Sequence, residues 1–148
     1  MSAADFVFVD TNVLLFSFDS AEPAKQSAAH NWLDGLWARG TAHLSWQVIH
    51  EFNVNATKKI SAPTSVVRRA ARTYAQLSTT EMSSPLLLRA WHWIDSAGVS
   101  HWDALILASA EASGCHWLLS EDFQDGRQYG FVRAINPFST APGALFAR

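Results

Sequence analysis

Cysteine is almost missing from this sequence. Cys115 stands alone in 148 residues, which excludes an internal disulfide framework and a cysteine-based zinc site. Long apolar runs are missing as well. Phe6 to Val9 is interrupted by Asp10, and no stretch approaches the roughly 20 residues that cross a bilayer. The start of the chain has no basic segment followed by a long apolar one, so no secretory signal is expected. These absences favour a cytoplasmic protein in a reducing compartment, with no membrane contact. Excess positive charge is missing too. The formal net charge is −2, which on average argues against a nucleic-acid binder.

The average hides a pattern. Lys58, Lys59, Arg68, Arg69 and Arg72 hold five of the 11 strong bases within fifteen residues that contain no acid. If four of the 13 acids bind metal, nine remain against 11 bases, and the surface offered to a substrate is mildly positive. A solvated pair of basic helices explains the same cluster. The length suits one compact domain, nearly half the residues are apolar, and seven are Trp.

Phe6-Val7-Phe8-Val9 has the continuous apolar, β-favouring character of a strand buried on both faces, and it stops at Asp10-Thr11-Asn12. Val13 to Phe18 reads as one or two helical turns. Glu22 to Arg39 is a helix with Ala29, Trp32, Leu33 and Leu36 on one face, stopped by Gly40. Thr41 to Leu44 is a short strand. Ser45 then caps a helix whose core stripe is Ile49, Phe52 and Ala56. Pro63 begins a helix with Val67, Ala70, Ala71, Tyr74 and Leu77 inside and its arginines outside. Thr79 to Met82 is a short strand. Pro85 opens a helix with Leu87, Trp91 and Ile94 inside, ended by Gly98. Ser100 to Ser113 is the clearest helix, with Trp102, Leu105, Ile106, Ser109 and Ala112 buried. Cys115 to Leu119 and Phe131 to Ile135 are strands. Alternating strands and helices predict a three-layer α/β/α domain over residues 1–136 around a mainly parallel sheet of four to five strands. Residues 137–148 read as a loose C-terminal tail.

Sites in open parallel α/β sheets lie beyond the C-terminal strand ends. Two strands end in acids there, Asp10 and Asp122. Asp103 lies in the first turn of its helix and can face the same crevice. Glu51 sits at the border between the buried and exposed faces of its helix. Each has a plain structural explanation: Asp10 as a helix cap, Asp103 as half of a capping box, Glu51 as a surface acid, Asp122 as a turn residue. As a set they are harder to dismiss. Two carboxylates about 5 Å apart repel by roughly 3 kcal/mol at an effective dielectric of about 20. Hard divalent cations relieve that cost, which points to Mg²⁺ or Mn²⁺.

Four segments in order then resemble the PIN domains, and among them the VapC-type toxins of toxin–antitoxin pairs. They are Val9-Asp10-Thr11-Asn12, Ser45-Trp46-Gln47-Val48-Ile49-His50-Glu51, Ser100-His101-Trp102-Asp103-Ala104-Leu105, and Leu118-Leu119-Ser120-Glu121-Asp122-Phe123-Gln124-Asp125-Gly126. The resemblance spans about Phe6 to Ile135. It implies that Asp10, Glu51, Asp103 and Asp122 are the catalytic, metal-binding acids, with Thr11, Asn12 and Ser120 as polar support. Asp125 is the rival to Asp122 for the fourth acid, and otherwise shapes a turn before Gly126. The resemblance also implies an endoribonuclease using Mg²⁺ or Mn²⁺, a homodimer, and an antitoxin partner that covers the site.

On that reading Lys58, Lys59, Arg68, Arg69 and Arg72 contact RNA phosphates and position the strand without reading its sequence. Trp32, Trp91 and Trp102 are expected in the core. Trp37, Trp46 and Trp93 fall off the core stripes and could serve a dimer interface, an antitoxin interface or base stacking. His50 and His101 are expected to point away from the acids. Two other functions compete. A phosphatase with Asp10 as nucleophile of the haloacid dehalogenase type needs a second Asp where Asn12 stands. A non-catalytic binding module on the same fold would not need the full acid set.

Overall fold

The computed structural model describes residues 6–146. The elements in chain order are β1 (Val7–Val9), α1 (Thr11–Phe16), α2 (Pro23–Arg39), β2 (Ala42–Ser45), α3 (Trp46–Lys58), α4 (Thr64–Ala75), β3 (Ser78–Thr80), α5 (Ser84–Ala97), α6 (His101–Ala112), β4 (Trp117–Leu119), β5 (Gln128–Tyr129), β6 (Val132–Ile135) and α7 (Gly143–Phe146). The sheet order is β3-β2-β1-β4-β6-β5. Every pairing is parallel except β5 with β6. Helices flank the sheet, giving the three-layer α/β/α arrangement that the alternation of elements predicts.

Among the described residues the sheet has six strands, one more than expected. The extra one, β5, is two residues long and makes a hairpin with β6 through Gly130, whose φ of 61° suits a residue without Cβ. Two residues carry no periodicity, which is why the sequence does not announce it.

The strand order places the site. From β1 the chain builds outward through β2 to β3, then returns to lay β4 on the other side of β1. The order therefore reverses between β1 and β4, and a crevice opens beyond their C-terminal ends. Val7, Phe8 and Val9 are buried on both faces, as are Leu118 and Leu119 of β4. The β1–β4 register pairs Val9 with Leu119, so Asp10 and Ser120 emerge side by side.

Two helix faces differ from expectation. In α5 the buried residues are Leu86, Ala90 and Trp93, one position round from the predicted Leu87, Trp91 and Ile94. Leu87 and Trp91 are exposed and Ile94 is half-buried. Leu86, Leu87 and Leu88 are consecutive, so the apolar pattern alone allowed either stripe. The partner that decides is α6, where Glu111 accepts from the Trp93 indole N–H and from Arg89. In α6 itself Ala104 to Ala110 are all buried, since the helix packs on α5 as well as on the sheet. Trp102, expected in the core, is instead 60% exposed, and Ala112 is exposed too.

The stretch expected as a loose tail packs on the domain through its described part. Pro137 is buried, and Phe138 meets Phe16 edge-on at 5.0 Å. The Trp32 indole N–H donates to the Thr140 carbonyl at 2.9 Å. Phe146 meets Trp32 at 5.8 Å and lies under the Arg39 guanidinium. Gly35 leaves room for it: a Cβ there would come within 2.6 Å of the Phe146 ring. Residues 147 and 148 lie outside the described residues. We expect Phe146→Ala to lower the unfolding free energy by about 2 kcal/mol in chemical denaturation. A loose tail would leave the midpoint unchanged.

Candidate functional site

Asp10 follows β1 and caps α1. Its Oδ1 accepts from the Thr11 N–H at 2.7 Å, and its Oδ2 accepts from the Ser120 hydroxyl at 2.7 Å. The capping role and the crevice-facing role therefore use different oxygens of one carboxylate. The backbone on both sides is pinned, with Asp10 N–H donating to Leu119 O and Ser120 N–H to Ile135 O, each at 3.0 Å.

Asn12 joins the two strand ends. Its amide nitrogen lies 3.4 Å from Asp10 Oδ2, 3.1 Å from Ser120 Oγ and 3.2 Å from Asp122 Oδ2. Its carbonyl oxygen accepts from the Glu121 N–H. Ser120 Oγ also accepts from the Asp122 N–H at 3.1 Å. One amide and one hydroxyl thus organise two carboxylates that come from segments 110 residues apart.

From the other side, α3 delivers Glu51. Thr11 donates its hydroxyl to Glu51 Oε2 at 3.1 Å, and Gln47 donates its amide to Glu51 Oε1 at 2.8 Å. The same Gln47 nitrogen reaches the Trp102 carbonyl at 3.2 Å, which ties α3 to the first turn of α6. Asp103 lies in that turn, with its N–H donating to the Ser100 side chain. Asp10, Glu51, Asp103 and Asp122 line one crevice of about 360 Å³.

The remaining residues singled out from the sequence lie as follows. Asp125 is not among the crevice-lining residues; its Oδ1 accepts from the Asn136 N–H at 2.8 Å, the turn-shaping role. Lys59 lines the crevice, as its one cation among the described residues. Lys58 is exposed on the same helix end. Arg68, Arg69 and Arg72 are exposed on α4 and line a separate shallow depression. His50 lies outside the crevice, on a neighbouring groove. Asp19, Gln47, Asn55 and Glu121 also line the crevice, though the sequence did not mark them as site residues. For Gln47 a signal existed, since it stands one helical turn before Glu51.

The electrostatics are those of anions without enough cations. Burial raises the Asp10 carboxyl from its ordinary 3.8 to about 7; Ser120 and Thr11 hold it down, while Asp122 and Glu51 push it further up. Asp103 is raised by partial burial and then by Asp122 and Glu51, against a hydrogen bond with Ser100. Lys25 pairs with one acid of the crevice wall, Glu121, at 2.9 Å and lies over the Phe16 ring, which also lines the crevice. Among the described residues, no three His, Cys, Asp or Glu side chains already stand grouped to hold an ion. The donor chemistry nevertheless fits a hard divalent cation: among the described residues the lining has six carboxylates (Asp10, Asp19, Glu51, Asp103, Glu121 and Asp122), the Thr11 hydroxyl and the amides of Asn12, Gln47 and Asn55, and no thiol or imidazole.

The PIN domain profile matches residues 7–127, most of the chain. The chain belongs to the PIN-domain family. No curated protein sequence matches it. Solved structures with the same fold include a chain of a toxin–antitoxin complex from Klebsiella pneumoniae, at 19% identity and TM-score 0.64, covering 88% of this chain and 97% of that one. VapC20 of Mycobacterium tuberculosis, a sarcin–ricin loop cleaving toxin, matches at 20% identity and TM-score 0.59, over 76% of this chain and 86% of that one. A chain of the VapBC2 complex of Rickettsia felis, bound to a DNA fragment from its promoter, matches at 15% identity and TM-score 0.62, over 87% and 96%. At these identities the likeness is one of fold. The PIN fold here carries its acids on the β1 and β4 ends and on α3 and α6.

A pH dependence follows. The folded protein holds the Asp10 proton more tightly than the unfolded chain, so this group's stabilising effect is complete below pH 3.8 and lost as pH rises to about 7. Asp103 acts in the same sense. In EDTA, the melting temperature should fall from pH 4 to pH 7, at roughly 1 kcal/mol of stability per pH unit from Asp10. Asp10→Asn should remove most of that slope. A slope left intact in the variant would show that Asp10 is not its source.

Proposed function

We propose that this PIN-domain protein is a metal-dependent endoribonuclease and the toxin of a type II toxin–antitoxin pair. The observation that carries the catalytic part is the crevice itself. Asp10, Glu51, Asp103 and Asp122 share it with two further carboxylates, Asp19 and Glu121, and with one lysine among the described residues, and Asp10 is buried with its carboxyl pushed up to about 7. Such a cluster is costly as a structural feature and useful as a cation site. Toxin and antitoxin roles draw on the resemblance to VapC-type proteins and on neighbours described as toxin–antitoxin complexes. An RNA substrate is favoured by VapC20, which is described as cleaving the sarcin–ricin loop.

Asp10, Glu51, Asp103 and Asp122 would hold Mg²⁺ or Mn²⁺. When bound, such an ion activates water and offsets the charge that builds on a phosphodiester. The chain's own groups do the rest. Asn12 and Ser120 orient Asp10 and Asp122, and Thr11 and Gln47 hold Glu51 from two sides. Ionising Asp10 becomes easier once positive charge enters the crevice, since the repulsion from Asp122 and Glu51 is then offset. Lys59 supplies a cationic contact for the substrate phosphate at the rim.

Homodimerisation belongs to the same proposal, as does a nuclease domain of residues 1–136 against which residues 137–146 pack. The phosphatase reading is weaker, because the residue two positions after Asp10 is Asn12, whose amide bridges Asp10 and Asp122 as a donor. No specific observation favours a non-catalytic module.

Incubation with RNA and Mg²⁺ or Mn²⁺ should give cleavage that EDTA stops and Asp10→Asn abolishes. Asn12→Ala should weaken metal affinity or activity about 10- to 100-fold. Hydrolysis of p-nitrophenyl phosphate without RNA cleavage would overturn the proposal.

The basic patch is checked separately. In Asp10→Asn, which binds without cutting, replacing Arg68, Arg69 and Arg72 by Ala should weaken RNA binding and flatten its salt dependence by up to about 3 in log–log slope. An unchanged slope would take these arginines out of the RNA interface.

A further inference from the structure

Beside the acid crevice runs a second, larger cavity of about 830 Å³. The faces of α3 divide the two. Gln47, Glu51 and Asn55, spaced one turn apart, line both cavities, while Trp46, His50 and Val54 line only the larger. Across from them stands Trp102, which also borders both cavities and directly precedes Asp103. Val54, Met82 and Trp102 are 45%, 50% and 60% exposed. An apolar groove thus opens straight into the site, with a large aromatic ring at the junction.

We infer that this groove holds an unpaired nucleobase of the RNA, next to the bond that is cut, with Trp102 as its stacking platform. This rests on the RNA-cleavage reading above and adds where the strand lies and which part of the nucleotide is recognised. Three observations support a base as the occupant. First, the groove is continuous with the acid crevice through four shared lining residues, so a nucleotide flanking a phosphodiester held there has this groove within reach. Second, among the described residues its ionisable lining groups are Glu51, Glu81 and His50, with no Lys or Arg. Phosphate is disfavoured there, and the neutral, flat part of a nucleotide is not. The backbone is left to Lys59 on the crevice side.

The third observation is Gln47. Its amide nitrogen faces two oxygens, Glu51 Oε1 and the Trp102 carbonyl, which fixes which end of the amide is nitrogen. That leaves Oε1 buried with no hydrogen-bond partner. Gln47 is 7% exposed and lies on the seam between the two cavities. A buried acceptor without a donor is unfavourable, and a small shift of the Gln47 amide toward a base amino or imino N–H in the groove would relieve it. Gln47 also links the carboxylate and the platform, since one nitrogen holds Glu51 and the Trp102 backbone together.

The test couples a protein change to a substrate change. The probes are short single-stranded RNA oligonucleotides whose cleavage position has been mapped, and the same oligonucleotides made abasic at the nucleotide on either side. Removing the stacked base should lower wild-type kcat/KM about 10-fold. Trp102→Leu should lower kcat/KM on intact RNA by a similar factor and lose most of the abasic penalty, because the partner is already gone. Trp102→Phe should restore much of both. Trp102 is exposed, so its replacement should leave folding intact. Trp91→Leu, at an exposed Trp outside either cavity, should change neither.

Cleavage with the same abasic penalty in wild type and Trp102→Leu would overturn the inference and leave the nuclease reading standing. If Trp102→Leu instead changed the oligomeric state in sedimentation with no effect on RNA, a second copy of the chain would be the occupant and the inference would be wrong. Failure of the wild type to cut RNA with either metal would overturn both readings together.

Discussion

Burial of a carboxylate at the point where the strand order reverses is the constraint on which this site depends. Asp10 is 4% exposed and stands between β1 and β4, where no cation reaches it among the described residues. Three neighbouring groups hold it there. Thr11 supplies an N–H, Ser120 a hydroxyl and Asn12 an amide. Those bonds lower the cost of the charged form, and burial outweighs them, leaving the carboxyl near 7. A group in that state responds strongly to any positive charge that arrives, which is the physical basis for reading the crevice as a cation site.

The same economy of contacts extends outward. Asn12 and Ser120 carry the strand-end acids. Thr11 and Gln47 carry Glu51. Gln47 carries Trp102. The site is thereby one connected network across β1, α1, α3, α6 and the segment after β4. Helix α3 has three jobs on three faces: Val48, Ile49, Phe52 and Ala56 fill the core, Gln47 and Glu51 border the acids, and Trp46, His50 and Val54 form the apolar groove. An acid crevice and an apolar groove can adjoin because one ridge of side chains belongs to both.

Much of this was legible along the chain. The strand before Asp10 is apolar without a break, which marks burial on both faces, and an acid at the end of such a strand has only the crevice to face. Ser45 and Ser100 announce the starts of α3 and α6, and hence the turns that hold Glu51 and Asp103. Asp125 could not be separated from Asp122 by spacing alone; the Asn136 backbone, which bonds Asp125, comes from beyond the segment that contains both. The tryptophans were the least legible. Trp102 and Trp93 exchange the places expected of them, because an aromatic ring fits an apolar stripe and a groove rim equally well in a helical pattern.

The sequence by itself determined the order and type of the long elements, the buried character of β1, and which acids are candidates for a cation site. These follow from local physics: apolar periodicity, capping side chains, and the preference of hard cations for oxygen. Tertiary structure decided what depends on which surfaces meet. It selected the buried face of α5 through Glu111 of α6, added β5 by pairing it with β6, and anchored the end of the chain by fitting Phe146 over Gly35. It also brought Asn12 to Asp122, and Gln47 to Trp102, across gaps that no local pattern spans. A side chain's partner is set by the packing of whole layers, and that information is not carried by its neighbours in sequence.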